Sequence, residues 1–408
     1  MKHASPRRDL DRRNFLRAST LAGLSVGFRP RIGAAAKPAA RIQRSVRLGR
    51  TGLEVSDIGF GGGQLRGDQS LVRHALERGI SYFDTAEGYG GGQSETTMAD
   101  ALRDHREQIV LVSKTKAGAN ERRAALMARL EASLQRLRTD RVEIYLNHAV
   151  NDLGRMQNPE WWEFAERAKQ QGKIRFTGIS GHGGRLAECL EWGLDQDLLD
   201  VILVAYNFGH APSFAERFTR SFDFVAKQPE LPRLLAKAKR RDVGVVAMKT
   251  LLGAKLNDLR PYETPDSTFA QAALRWVLAN PHTDNLIISM KSRALIDEYV
   301  GASGATELSN RDEALIERYR AIHGETQCRY GCTSCSDACP AKVAISDVLR
   351  TRMYDVDYGE PDSARSEYAA LPNDATACLR CSAEPCAGSC PHGLDIRALT
   401  ADAHRRLA

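Results

Sequence analysis

Four residues with acid–base side chains stand at or just beyond the ends of three short apolar stretches. Asp84 ends the first stretch, and Tyr89 follows it in a glycine-flanked loop. Lys114 ends the second stretch and His148 ends the third. A phenol beside an ammonium group titrates below its usual pKa of about 10, which makes it a better general acid, and a carboxylate keeps that ammonium charged and oriented. A neutral imidazole can hydrogen-bond to a carbonyl oxygen. Each residue alone is typical of a solvated surface position, but their joint spacing predicts a site that protonates a carbonyl oxygen.

The elements that carry these residues alternate between strand-like and helix-like patterns from Ser45 onward. A hairpin over residues 46–55 is expected to close one end of a barrel, and residues 58–62 are expected to form its first strand. Apolar residues recur at helical spacing in residues 71–78, 95–104, 122–137 and 161–170. Buried strands are predicted over residues 174–179, 201–206, 243–248 and 286–288. Eight strands alternating with helices indicate an α/β chain, a (β/α)8 TIM barrel whose site lies where the strands end.

The segments around the four residues resemble the aldo-keto reductase family. "YFDTAEGYGGGQSE", "VLVSKT" and "IYLNHAV" are similar to its signature segments, and the similarity continues through "GKIRFTGIS" and "AALRWVLANP". The resemblance implies that Tyr89 is the proton donor, that Lys114 and Asp84 tune and hold it, and that His148 orients the substrate. It also implies a small carbonyl or alcohol substrate and NADP(H) as cofactor.

The positions that the resemblance assigns to the nucleotide are only partly retained. Ser180 matches a residue that hydrogen-bonds the nicotinamide amide, whereas Gly181 and Leu203 replace the expected asparagine and glutamine. Met248, followed by Lys249, replaces the aromatic residue that usually stacks on the nicotinamide ring. One branch of the family has the same "AMK" segment at this point. Three further positions match the segment that holds the adenosine phosphate: Lys291, Ser292 and Glu298. The mixture indicates NADP(H) binding, with the alternative that the barrel uses no freely exchanging nucleotide.

The first 36 residues read as an export signal. They carry eight Lys/Arg and two Asp, so six of the seven net positive charges lie there, and the charge does not indicate a nucleic-acid partner. Arg12 and Arg13 open a twin-arginine motif, a short apolar run follows, and Ala34–Ala36 offer a cleavage site. The sequence therefore predicts twin-arginine export to the periplasm, with a disordered basic tail as the alternative.

Eight of the nine cysteines fall near the C-terminus in two groups. They are Cys328, Cys332, Cys335 and Cys339, then Cys378, Cys381, Cys386 and Cys390. Each group ends in Cys-Pro and resembles a bacterial ferredoxin motif, which implies two [4Fe-4S] clusters. The resemblance implies that Cys390 joins the first three cysteines and that Cys339 joins Cys378, Cys381 and Cys386. Four disulfides or two zinc sites are the alternatives.

Together these features predict three regions, with a signal over residues 1–36, a barrel over residues 45–324 and a ferredoxin-like iron–sulfur domain over residues 325–408. The expected function is reduction of a carbonyl, or oxidation of an alcohol, with NADP(H), with electrons relayed through the clusters, or with both. A periplasmic or membrane electron donor and the export machinery are the expected partners. The alternative is an electron-transfer protein whose barrel is an idle binding module.

Overall fold

Eight parallel strands close into a barrel, in the order β10-β3-β4-β5-β6-β7-β8-β9. Their bounds are β3 (Ile58–Gly61), β4 (Tyr82–Asp84), β5 (Val110–Thr115), β6 (Val142–Asn147), β7 (Ile174–Gly181), β8 (Val201–Ala205), β9 (Gly244–Met248) and β10 (Asn285–Ser289). This computed structural model describes residues 40–183, 185–210, 230–251, 256–323, 328, 334–356, 361–391 and 393–408. The predicted export signal and Cys332 lie outside the described residues.

Helices surround the barrel between its strands. They are α1 (Gln69–Glu77), α2 (Gln93–Leu102), α3 (Arg123–Leu137), α4 (Leu153–Met156), α5 (Pro159–Gln170), α6 (Leu186–Asp195), α7 (Glu230–Arg240), α8 (Phe269–Leu278) and α9 (Arg293–Val300). Several begin at side-chain caps, which satisfy the unpaired N–H groups of a first turn. The clearest is the capping box of α8, in which Thr268 and Gln271 each bond the other's backbone N–H. The alternation confirms the barrel predicted from periodicity.

A two-stranded hairpin closes the amino-terminal end of the barrel. β1 (Ser45–Arg47) pairs antiparallel with β2 (Glu54–Ser56), with Val46 opposite Val55. Both valines belong to the apolar cluster that fills the barrel interior, together with side chains from six of its strands. A second cluster lies between the strands and the helices, where Trp161 of α5 stacks at 6.3 Å on Tyr145 of β6. The expected floor hairpin is therefore present.

The regular elements that the structure describes beyond the barrel are all helices. α10 (Asn310–His323) packs against α8, where its Tyr319 stacks at 4.6 Å on Phe269. The helices that follow are α11 (Ser334–Asp337), α12 (Ile345–Val356), α13 (Pro361–Ala369) and α14 (Ile396–Leu407). They share an apolar core of their own. Among the described residues, no helix combines the length and the apolar character that a membrane crossing requires.

Candidate active site

The carboxyl ends of β4 and β5 bring Asp84 and Lys114 together. The Lys114 Nζ donates to Asp84 Oδ1 at 2.7 Å and to the carbonyl oxygen of Thr85 at 2.5 Å. Both side chains are only 1% exposed. Burial lowers the pKa of Lys114, while Asp84 and then Glu95 act in the opposite direction. The structure thus brings the Lys114 ammonium and the Asp84 carboxylate together in one buried pair.

Tyr89 reaches this ammonium from the loop after β4. Its ring centroid lies 4.9 Å from the Lys114 Nζ. The three residues that follow Tyr89 are glycines with φ values of 58°, 63° and 94°, a backbone region that favours glycine. They let the chain turn sharply from Tyr89 into α2. The loop therefore delivers the phenol to the end of a neighbouring strand.

His148 completes the group that we call the tetrad (Asp84, Tyr89, Lys114 and His148). It follows β6 directly, and its ring meets that of Tyr89 edge to face at 5.5 Å. Burial lowers the pKa of His148 well below its usual value, and Lys114, Lys116, Arg155 and Lys249 lower it further. The imidazole is therefore neutral at pH 7 and has one N–H to donate.

Two further residues support the tetrad and were not predicted. Arg155 of α4 donates to the carbonyl oxygens of His148 at 2.7 Å and Ala149 at 2.8 Å, so it fixes the loop that carries the imidazole. Glu95 of α2 is fully buried behind Lys114, accepts a 2.6 Å hydrogen bond from Ser113 and pairs with Arg136 at 2.5 Å. The only sequence signal for Glu95 is its place in the quoted segment after Tyr89.

The C-terminal helices contact the mouth of the barrel beside the tetrad. His182 follows β7 and forms hydrogen bonds through Nδ1 with the Tyr354 hydroxyl and with Arg350 Nη1, each at 2.8 Å. The Lys249 Nζ lies 4.0 Å from the Tyr354 ring centroid. We call these four residues the mouth cluster. At the rim, Lys116 pairs at 3.1 Å with Glu367 of α13.

The cysteines line the core of the C-terminal helices. Cys339 and the four cysteines of the second group form no disulfide bond within the described part of the chain. Burial raises the pKa values of Cys378 and Cys386, and both are raised further by the nearby thiols of Cys339 and Cys381. These four residues are the set that the ferredoxin resemblance implies for one cluster. For the other set, α11 with Cys335 contacts the turn Ala387–Ser389, which precedes Cys390.

Among the described residues, no three His, Cys, Asp or Glu side chains are arranged to hold a single metal ion. The second cysteine group is described in full, and three of its members, Cys378, Cys386 and Cys390, lie in or against the apolar core of the C-terminal helices.

Comparison with known proteins places the barrel in a family. The model of the Aldo/keto reductase family matches residues 57–265, slightly more than half of the chain. The chain belongs to the aldo/keto reductase family. L-galactose dehydrogenase from Arabidopsis thaliana is 26% identical over 312 residues, which cover 67% of this chain and 92% of that protein. This chain is therefore an oxidoreductase acting on carbonyl or alcohol groups.

Solved structures give the same relationship. An aldo/keto reductase from Klebsiella pneumoniae, in complex with NADP and acetate, is 25% identical with a TM-score of 0.53. The match covers 71% of this chain and 99% of that one. Aldo-keto reductase AKR11C1 from Bacillus halodurans shares the fold at 23% identity, with a TM-score of 0.55 over 68% of this chain and 96% of that one. About three tenths of this aldo/keto reductase lies outside these matches.

The residues predicted to contact nicotinamide lie at the ends of neighbouring strands. Ser180, at the end of β7, accepts a 3.1 Å hydrogen bond from Ala149 N, which leaves its O–H to donate. A side chain at Gly181 would come within 2.4 Å of Leu186, which explains why no amide stands there. Leu203 is part of the apolar barrel interior. Met248 ends β9, half-buried, and Lys249 after it extends to Tyr354.

The residues predicted to bind the adenosine phosphate lie at the start of α9 and along it. Ser292 caps this helix by accepting a 3.2 Å hydrogen bond from Leu295 N, and the exposed Lys291 precedes it. Backbone N–H groups at a helix start, together with a lysine, suit a phosphate. Glu298 lies farther along α9, where its carbonyl oxygen accepts a 2.9 Å hydrogen bond from Gln271. Lys291 and Ser292 thus lie together at the start of α9, and Glu298 lies in its second half.

Proposed function

We propose that this protein is an NADP(H)-dependent carbonyl reductase whose tetrad protonates the substrate oxygen. The observation that carries the proposal is the meeting of Tyr89 with a buried ammonium on one side and a neutral imidazole on the other. His148 donates a hydrogen bond to the carbonyl oxygen and orients it. Tyr89 gives its proton to that oxygen, and Lys114, held by Asp84, stabilises the phenolate that remains.

NADPH, when bound, supplies the hydride for the carbonyl carbon. Support for this cofactor comes from the Klebsiella pneumoniae relative crystallised with NADP, and from the fit of Ser180, Lys291 and Ser292 to its amide and phosphate groups. Met248 and Lys249 would lie at the nicotinamide end and Glu298 near the adenosine end. Catalysis in the other direction, oxidation of an alcohol, uses the same groups with Tyr89 as the base.

We further propose that the two cysteine groups hold two [4Fe-4S] clusters, which would supply single electrons when bound. The Cys-Pro endings of both groups and the closeness of Cys339 to Cys378, Cys381 and Cys386 support this. The same apolar core contains Tyr354, whose hydroxyl contacts His182 at the barrel mouth. One packed region thus joins the cysteines to the catalytic barrel, which makes an electron relay between them plausible in space.

The twin-arginine motif supports export as a folded protein, and a periplasmic or membrane electron donor would then supply single electrons to the clusters. Replacing Arg12 and Arg13 with lysine should retain the protein in the cytoplasm. Unchanged export of that variant would contradict the proposal.

One preparation tests the cofactors together. Purification without air should give about eight iron and eight sulfide per chain with broad visible absorption, and titration with NADPH should show saturable binding. A colourless protein without iron would contradict the proposed clusters, and a lack of NADPH binding would contradict the proposed nucleotide cofactor. Cys381→Ala should then abolish turnover driven by an artificial one-electron donor, while NADPH-driven turnover persists. Equal donor-driven turnover in both proteins would contradict the relay.

The loss of amide side chains at Gly181 and Leu203 favours a second candidate, an electron-transfer protein whose barrel is catalytically idle. Tyr89→Phe separates the two. The reductase would lose carbonyl turnover, whereas the carrier would be unaffected.

A further inference from the structure

The barrel mouth contains a histidine that the tetrad does not use and that the C-terminal helices hold in place. Arg350 and Tyr354 stand one turn apart on α12, so they share one face of that helix. Both reach Nδ1 of His182, each at 2.8 Å. Two side chains from a segment remote in sequence therefore converge on one ring nitrogen at the edge of the active site.

These contacts decide which nitrogen of His182 carries the proton. A guanidinium group can only donate hydrogen bonds. Nδ1 of His182 must therefore accept the bond from Arg350, and the single proton of the neutral ring lies on Nε2. The surroundings also oppose a second proton, because burial and then Lys249, Arg350, His148 and Lys116 lower the pKa of His182 well below its usual value.

The Nε2–H of His182 makes no hydrogen bond with any residue in the part of the chain that the structure describes. His182 follows β7 as His148 follows β6, so the two rings stand at the ends of two paired strands. The two imidazoles thus offer neighbouring donors at one end of the barrel. Three cations from different elements act on His182: Lys249, which lies over the Tyr354 ring, Arg350 and Lys116. Asp347 pairs with Arg350 at 3.4 Å and Glu367 with Lys116 at 3.1 Å.

We propose that His182 binds a second, negatively charged oxygen group of the substrate through Nε2–H while His148 faces the reacting carbonyl. The preferred substrates are then carbonyl compounds that carry a carboxylate. An anion is favoured over a neutral acceptor because it forms a charge-assisted hydrogen bond beside the Lys249 ammonium and the Arg350 guanidinium. Arg350 and Tyr354 are positioning residues that hold the ring of His182. This inference rests on the proposed carbonyl reduction for its substrate, but not for its binding site.

A matched pair of aldehydes tests the substrate preference. 4-Formylbenzoate and 4-formylbenzamide are nearly the same in shape and differ in charge. The wild-type protein should favour the benzoate in kcat/KM, and His182→Phe should reduce that value about 10- to 100-fold, mainly through KM. The same variant should change kcat/KM for the benzamide by less than about threefold. Equal kcat/KM for the two aldehydes in the wild-type protein, or equal losses for both in His182→Phe, would overturn the inference.

Calorimetric titration with benzoate and benzamide tests the binding site without catalysis. Benzoate should bind the wild-type protein more tightly than benzamide does, and His182→Phe should remove the difference. Arg350→Met should weaken benzoate binding, whereas Arg350→Lys, which keeps a cationic donor, should restore most of it. Arg365→Met is the matched control, since Arg365 is an exposed cation of the same region that should leave binding unchanged.

The two tests also separate this inference from the proposed function. If neither aldehyde is reduced but benzoate binds in the expected way, carbonyl reduction fails and the anion site stands. If both aldehydes are reduced and benzoate binds His182→Phe as tightly as the wild-type protein, the reductase stands and the anion site fails.

Discussion

The tetrad and the mouth cluster are neighbouring parts of one site that are assembled in different ways. The tetrad takes its residues from the ends of three adjacent strands, and its central pair is almost completely buried. The mouth cluster takes His182 and Lys249 from strand ends but depends on Arg350 and Tyr354 from a helix more than 100 residues later. The proposals above therefore assign the proton chemistry to the barrel alone and the selection of substrates to the C-terminal helices as well.

The largest effect should follow from removing the proton donor of the tetrad. Tyr89→Phe should lower kcat for an aldehyde about 10²- to 10⁴-fold, the usual contribution of a general acid. Single-turnover assays with saturating NADPH would measure it. NADPH affinity should stay within about twofold, because the substitution leaves the nucleotide positions intact. Tyr82→Phe is the matched control, because it removes a tyrosine hydroxyl from β4, the strand that precedes the loop with Tyr89. An unchanged kcat for Tyr89→Phe would assign the tetrad no catalytic part.

The Tyr82 hydroxyl is fully buried and has no hydrogen-bond partner among the described residues. A buried polar group without a partner is destabilising, so Tyr82→Phe should leave kcat unchanged and stabilise the fold by up to about 1 kcal/mol. Urea unfolding would measure the gain, and a clear loss of stability would mean that the hydroxyl has a partner.

A second large effect, on folding stability, should follow from removing one partner of the buried pair of Asp84 and Lys114. Lys114→Met leaves Asp84 as a buried carboxylate without its cation and should lower the free energy of unfolding by about 3–5 kcal/mol. Adding Asp84→Asn should recover much of that loss, since the lone charge is then removed. Urea unfolding of both variants would measure it. A loss below about 1 kcal/mol in the single variant would show that Asp84 takes up a proton instead.

Sequence patterns were sufficient for the tetrad because strand ends in a closed parallel barrel meet at one rim. Once the alternation of strands and helices is recognised, Asp84, Lys114 and His148 can be assigned to that rim without further information. His182 carries the same signal, a titratable residue directly after a strand, although it lay outside the predicted set. Arg350 and Tyr354 could not be assigned in this way, because helical spacing defines a face of α12 but not what that face contacts. In the sequence, Gly181 and Leu203 stand where the family resemblance predicts an asparagine and a glutamine. In the structure, a side chain at position 181 would collide with Leu186, and Leu203 belongs to the apolar barrel interior, so packing accounts for both residues.

The dependence of folding stability on pH below 6.5 allows the histidine of the tetrad, His148, to be compared with that of the mouth cluster, His182. The pKa values of His148 and His182 are depressed in the folded protein. A histidine in the unfolded chain has a pKa of about 6.5, so below that pH the unfolded chain binds more protons than the folded protein does. Their contribution to stability is complete above that pH and is lost as the pH falls. Between pH 6.5 and 5.5 each should reduce the free energy of unfolding by about 1 kcal/mol. His148→Gln and His182→Gln should each remove one such contribution in urea unfolding. A curve unchanged by either substitution would show that the ring concerned titrates normally.

The smallest effect should come from the ion pair at the rim between Lys116 and Glu367. The Lys116 side chain is 48% exposed, and water screens a pair of this kind. Lys116→Ala should therefore lower the free energy of unfolding by less than about 1 kcal/mol, and 1 M salt should reduce the difference further. If Lys116→Ala instead destabilises the protein strongly, the rim pair joins the C-terminal helices to the barrel. If the effect is small, the attachment of the C-terminal helices depends on the contacts of Arg350 and Tyr354 with His182. Substitutions of Arg350 or Tyr354 should then change substrate selection before they change proton transfer.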